Sequence, residues 1–224
     1  MPGLTKIPHA LSPSQERKLV DFLDEKFLDV TRNFKKRSDP SSTLRTLSSY
    51  LTETHTILSL ILQIPPVDPS TSLRTTLLLR ITGEVMGSIG GYQPVVETLP
   101  QLLDWLNDMD RGWLAVLRSQ EWDPEERLGH DLVISEDGNS AVPIRSTPIS
   151  QTERTRLRSL LLSGTTKLEE WLERLVTDDD NYNDALERLG LQQSFDDLFA
   201  GTLTEMGALR GFEVNVPADM EGTC

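Results

Sequence analysis

From Ser12 to Leu209 nearly every long segment repeats its apolar residues three and four places apart, and that spacing constrains the fold more than any other feature. Side chains at such spacing share one face of an α-helix, whereas a half-buried strand needs a spacing of two. The first helix is expected to start with Ser12 as N-cap and Pro13 at the first helical position. Its stripe is Leu19, Leu23, Phe27, Val30 and Phe34. "SDPSS" then breaks and recaps the chain. A second helix carries Leu44, Leu47, Leu51, Leu58 and Leu62 on one face, and "PPVDPS" at 65–70 stops it, because proline removes a donor and blocks the α conformation before it.

A third helix begins near Ser72 and runs into "ITGEVMGSIGGY", residues 81–92, which holds four glycines. On a helical wheel Leu77, Leu78, Leu79, Ile81, Val85, Met86 and Ile89 cover more than half the circumference, which marks a central helix. Gly83, Gly87 and Gly90 fall together and are expected to let a neighbouring backbone come close, with Gly90-Gly91 as a left-handed stop. The same stretch matches no loop that carries chemistry. A phosphate-binding loop needs a lysine after its last glycine, and a nucleophile elbow needs a glycine where Met86 stands.

The fourth helix, about Thr98 to Gln120, turns Leu102, Trp105, Leu106, Met109, Trp113, Val116 and Leu117 inward. Asp110 falls within that apolar arc. Either the helix breaks at "NDMDRG" or Asp110 finds a buried partner; a break or an edge position is the preferred reading, because an unpaired buried carboxylate is costly. Residues 131–145 differ: two short β-branched runs flank "EDGN", a hairpin turn signal, and prolines 124, 143 and 148 surround them. An exposed insertion over 124–149, hairpin or loop, is expected there. A fifth helix follows, with Ser150 and Glu153 forming a capping box and Leu157, Leu160, Leu161, Leu168, Trp171, Leu172 and Leu175 as its stripe. Two shorter helices close the chain, one capped at Asp178–Asp180 and one at Ser194, the latter burying Phe195, Leu198, Phe199, Leu203, Met206 and Leu209. The expected fold is an all-α bundle of about six to eight helices, a single domain over 12–211 between tails at 1–11 and 212–224.

Charge narrows the partners. The 224 residues carry a net charge of −13, so phosphate backbones and anionic membrane surfaces are repelled, and no nucleic acid or membrane partner is expected. The short basic run Lys35-Lys36-Arg37 suits a helix C-terminus. The single cysteine, Cys224, leaves no disulfide or cysteine-based metal site within one chain, and it stands in the wrong place for prenylation. The N-terminus has no apolar run of the secretory kind, and "ILSLILQI" is too short to span a bilayer, so a soluble protein of the cytoplasm or nucleus is expected.

His9, His55 and His130 are far apart and form no ligand pair at helical spacing. "TDDDNYND" at 177–184 lacks the glycine and glutamate of a calcium loop, and "DPEE" at 123–126 reads as an ordinary acidic helix start or loop. No catalytic residue, metal or cofactor is therefore expected. The reading that remains is a non-enzymatic helical adaptor or structural subunit that contacts other protein subunits. Phe22 and Leu28, outside the stripe of helix one, and Trp122, in a loop-like context, are its candidate partner-binding residues. The alternative is an enzyme or small-molecule binder with an interhelical site near Arg80, Glu84 and Asp110, the ionisable groups closest to apolar faces.

Overall fold

The computed structural model describes residues 9–132, 146–175 and 182–210. They form a mostly helical bundle of α1 (Pro13–Lys35), α2 (Leu47–Leu62), α3 (Ser70–Ser88), α4 (Leu99–Leu117), α5 (Gln151–Leu172), α6 (Tyr182–Arg188), α7 (Gln192–Asp196) and α8 (Ala200–Arg210), with one antiparallel hairpin of β1 (Glu121–Asp123) and β2 (Leu128–His130). No helix among the described residues is long and apolar enough to cross a membrane.

Local chemistry sets the helix starts. Ser12 accepts from the Gln15 amide while the Gln15 side chain reaches back, and Pro13 opens α1. Ser150 and Glu153 make the same reciprocal pair at α5. At α2 the pair is Thr46 and Ser49, so that helix starts after Leu44, which is nevertheless buried. Leu11, placed in the tail by its sequence, is tied down, its amide donating to Ser70 Oγ at 2.9 Å.

The helix α3 is central and packs against α2, α4 and α5. Leu78, Ile81 and Val85 are wholly buried within it, and Trp113 of α4 donates its indole N–H to Thr82 Oγ1 at 3.0 Å. The glycines that permit close approach are not the expected ones. A Cβ at Gly87 or Gly90 would meet nothing within 4 Å, and one at Gly83 would meet Leu160 at an ordinary 3.6 Å. The tight contacts lie at Gly112, where a Cβ would stand 2.8 Å from Leu62 Cδ2, and at Gly164, where it would stand 3.1 Å from Met86 Cβ. The small residue of α4 thus faces a bulky side chain of α2, and the small residue of α5 faces one of α3.

Nor do Gly90 and Gly91 form a left-handed cap. They complete a 3-10 turn, Ile89–Gly91, and three side chains take up the carbonyls that the end of α3 leaves without helical partners. Arg174 donates to Gly90 O at 3.1 Å, Arg37 Nε to Gly91 O at 2.7 Å, and Trp171 Nε1 to Tyr92 O at 2.7 Å. Phe34, Tyr50 and Tyr92 pack around this turn with ring centroids 5.6–5.8 Å apart, and Arg37 lies 4.5 Å above the Phe34 ring. Burial pushes the Tyr92 hydroxyl up to about 12, so it stays protonated and donates to Leu44 O at 3.0 Å. Here one glycine is sterically required: a Cβ at Gly91 would lie 2.7 Å from Phe34 Cζ.

Two further expectations change. The helix α4 is unbroken through "NDMDRG". Ser194 lies within α7 rather than capping a long last helix; the chain breaks at Asp197–Phe199, where Phe199 has φ +59, before α8 begins. A hairpin lies over Glu121–His130 with "PEER" as its turn. Residues 133–145, the 178–180 cap, the side chain of Leu209 and the tail from 212 lie outside the described residues. Parts of the expected insertion belong to the core, since Ile149 is buried and Thr147 bonds to Asp68 through its amide and hydroxyl.

Candidate functional site

The glycine face of α3 looks onto a groove. The helices α3 and α5 run side by side in the same direction, Gly83 lying beside Leu160 and Met86 beside Gly164. Two hollows that share Gly87 extend along their seam. One, about 460 Å³, is floored by Met86, Ile89, Leu168 and Trp171. The other, about 450 Å³, lies against Leu79 and Leu160. Between Leu79 and Gly90 the seam runs about 16 Å at 1.5 Å per helical residue. Because Gly83, Gly87 and Gly90 carry no side chains, no described side chain fills it.

The rim is charged against the trend of the chain. Arg80, Arg156, Lys167 and Arg174 face Glu84 and Glu170, four cations to two anions, in a protein of net charge −13. Two of the cations are held in place. Arg80 pairs with Asp24 of α1 and lies 4.0 Å above the Phe27 ring, and Arg174 rests on the Gly90 carbonyl. The result is a seam of two hollows, the first floored by apolar side chains, with four cations on the border.

A second cluster lies where the hairpin meets α2 and α4. Asp108, 2% exposed, accepts from His55 Nε2 at 2.7 Å and from Arg127 Nε at 2.9 Å and Nη2. Arg127 also donates to Asp104 at 3.0 Å. Burial pushes the Asp108 carboxyl upward, but the hydrogen bonds from His55 and Arg127 outweigh it and hold the group below its ordinary value. On the other side of the hairpin, Arg74 of α3, 1% exposed, donates to Gln120 O at 2.7 Å, and desolvation brings its guanidinium down to about 10. These contacts hold the hairpin segment to α3 and α4, and His55 joins α2 to the same carboxylate. A histidine oriented by a buried carboxylate has the outline of a base, but His55 lines neither hollow of the groove.

The residues singled out in the sequence fall in different places. Arg80, Glu84, Gly83, Gly87 and Gly90 all border the groove. Asp110 does not join them: it lies under α8, where its carboxylate accepts from the Thr202 amide at 3.0 Å and the Thr202 hydroxyl at 2.5 Å. That pairing explains how α4 continues through Asp110 without leaving a bare carboxylate. Phe22 and Leu28 are 44% and 46% exposed, about 120° apart around α1, so they do not make one face. Trp122 is not an exposed anchor in a loop; it lies in β1, 8% exposed, as part of the core.

The sequence reading missed Asp108 and Arg127. A signal was present: Asp104 and Asp108 are an i,i+4 pair of like charges beside the apolar stripe of α4, which is unfavourable without a cation from elsewhere in the chain. Comparison of the chain with protein-family models, curated proteins and solved structures finds no match.

Proposed function

We propose that the chain is a non-enzymatic helical adaptor or structural subunit of a multiprotein assembly, and that the α3–α5 groove receives an amphipathic, acidic-flanked helix of its partner. The observation that carries the reading is the open glycine floor. Interior helices are ordinarily packed to crystalline density, yet over Gly87 of α3 and Gly90 of the turn that follows no described neighbour closes. The length of the groove suits about three helical turns, enough for apolar anchors at i, i+3, i+4 and i+7. Four rim cations favour acidic residues beside those anchors, while the net negative charge elsewhere repels them.

Photo-cross-linking in the native cell tests the proposal. A benzophenone amino acid placed at Glu170, on the rim, is expected to capture one partner through an acidic segment. The same group at Arg111, on the exposed side of α4, is expected to capture little of it. Equal yields at both positions, or a captured segment that is basic, would refute the assignment.

A further inference from the structure

The geometry points to a divalent transition-metal site, suited to zinc, on the outer face of the hairpin, formed by Asp123, Glu126 and His130. One donor atom from each lies within 4.8 Å of the others, and His130 Nε2 stands 2.9 Å from Glu126 Oε2. This departs from the sequence expectation, in which the three histidines have no ligand partners and "DPEE" is an ordinary acidic turn.

Strand register produces the cluster. Trp122 opposes Gly129, and both face α4: Trp122 is buried, and a Cβ on Gly129 would stand 2.7 Å from the Ala115 Cβ. Alternation then sends Asp123 and His130 to the other face of the hairpin, as diagonal neighbours. The four-residue turn returns Glu126 over that same face. Asp123 is fixed before any ion arrives. Its Oδ1 accepts from the backbone amides of Glu125 at 2.7 Å and Glu126 at 3.0 Å, which leaves Oδ2 for a ligand bond. The basic residue of the turn is directed elsewhere. Arg127, with φ +55, sends its guanidinium to Asp104 and Asp108, on the α4 side.

One imidazole and two carboxylates are a borderline-to-hard donor set, which zinc accepts at about 2.0–2.2 Å. Donors around a tetrahedral ion stand about 3.3 Å apart, so the widest pair must close by about 1.5 Å. Glu126 and His130 are exposed and can rotate to do so. Three protein ligands leave at least one position for water. In a hairpin already held to α3 and α4 through Arg74 and Arg127, the ion would join the turn to the end of β2.

Calorimetric titration of the full chain with zinc chloride, in a Cys224→Ser background that removes the one thiolate, tests the site. One ion per chain is expected, with a dissociation constant on the order of micromolar. His130→Ala and Glu126→Gln should each weaken binding by at least about tenfold, and Glu125→Gln, a neighbouring acid outside the cluster, should leave it unchanged. All three positions are exposed, so far-UV circular dichroism should show the fold intact. No binding by the Cys224→Ser chain, parental affinity in either ligand variant, or equal weakening by Glu125→Gln would overturn the assignment.

Discussion

Replacing Asp108 by alanine should destabilise the protein without touching the groove. The carboxylate takes hydrogen bonds from His55 at 2.7 Å and from Arg127 through Nε, at 2.9 Å, and Nη2. Hydrogen bonds to charged groups are each worth about 1.5–3 kcal/mol, and breaking a fully buried ion pair costs about 3–5 kcal/mol. The cost here is smaller. The His55 and Arg127 side chains are 42% and 35% exposed, so water can solvate them once Asp108 is gone. The substitution also removes a desolvated carboxylate whose Oδ1 has no hydrogen-bond partner among the described residues. A net loss of about 2–4 kcal/mol follows, or about 6–12 °C in melting temperature for a chain of this size. The effect should depend on pH in one direction. Because the folded chain holds the Asp108 carboxyl below its ordinary value, the unfolded chain takes up the proton first as pH falls. The contribution is therefore full at neutral pH and is lost below about pH 3.9, through the folded value. Melting of parent and variant by calorimetry at pH 7 and in acid should show the gap closing. A variant that melts within a degree of the parent at pH 7, or a gap that persists unchanged in acid, would refute the reasoning.

Other substitutions separate core positions from open ones. Gly112→Leu should destabilise by about 1–3 kcal/mol or more, because its new side chain meets Leu62 in a closed core, and thermal melts should detect the shift. Arg37→Ala should lose about 1–3 kcal/mol in urea titrations, since it removes the donor to Gly91 O and the cation above Phe34. Trp122→Ala should cost about 3–5 kcal/mol as a core truncation, whereas Phe22→Ala should lie within about 0.5 kcal/mol of the parent; equal melting temperatures for the two would place Trp122 on the surface after all.

The helices were legible because each buries one stripe, and a stripe is a local property of the sequence. Ser12 with Pro13, and Ser150 with Glu153, marked two starts because capping is chemistry between near neighbours. What could not be read are the pairings across the chain. Asp110 shows a carboxylate inside an apolar arc, but Thr202, 92 residues later, decides that the helix need not break. Asp108 depends on Arg127, which reaches it only after a turn and a reversal of direction. The glycines of α3 were found, but not their purpose, since openness or close approach is a property of the neighbour: a glycine facing Leu62 is a contact, and a glycine facing nothing is a floor. The hairpin at Glu121–His130 was not legible because "PEER" is weak turn chemistry; burial of Trp122 against α4 and the reach of Arg127 to Asp108 are pairings across the chain.

The central claim is that the glycines of α3 leave room for a partner rather than for a neighbouring helix, and Gly87→Leu tests it most directly. The variant's melting temperature is measured alongside its recovery of the partner captured from Glu170. A Cβ there meets no described atom within 4 Å, and leucine replaces a poor helix former, so the melting temperature should hold or rise, by up to about 1 kcal/mol of stability. The same leucine stands on the floor shared by both hollows, and an overpacked contact of about 1–3 kcal/mol should cut recovery roughly tenfold or more. A fall of several degrees in melting temperature, or recovery equal to the parent's, would contradict the account.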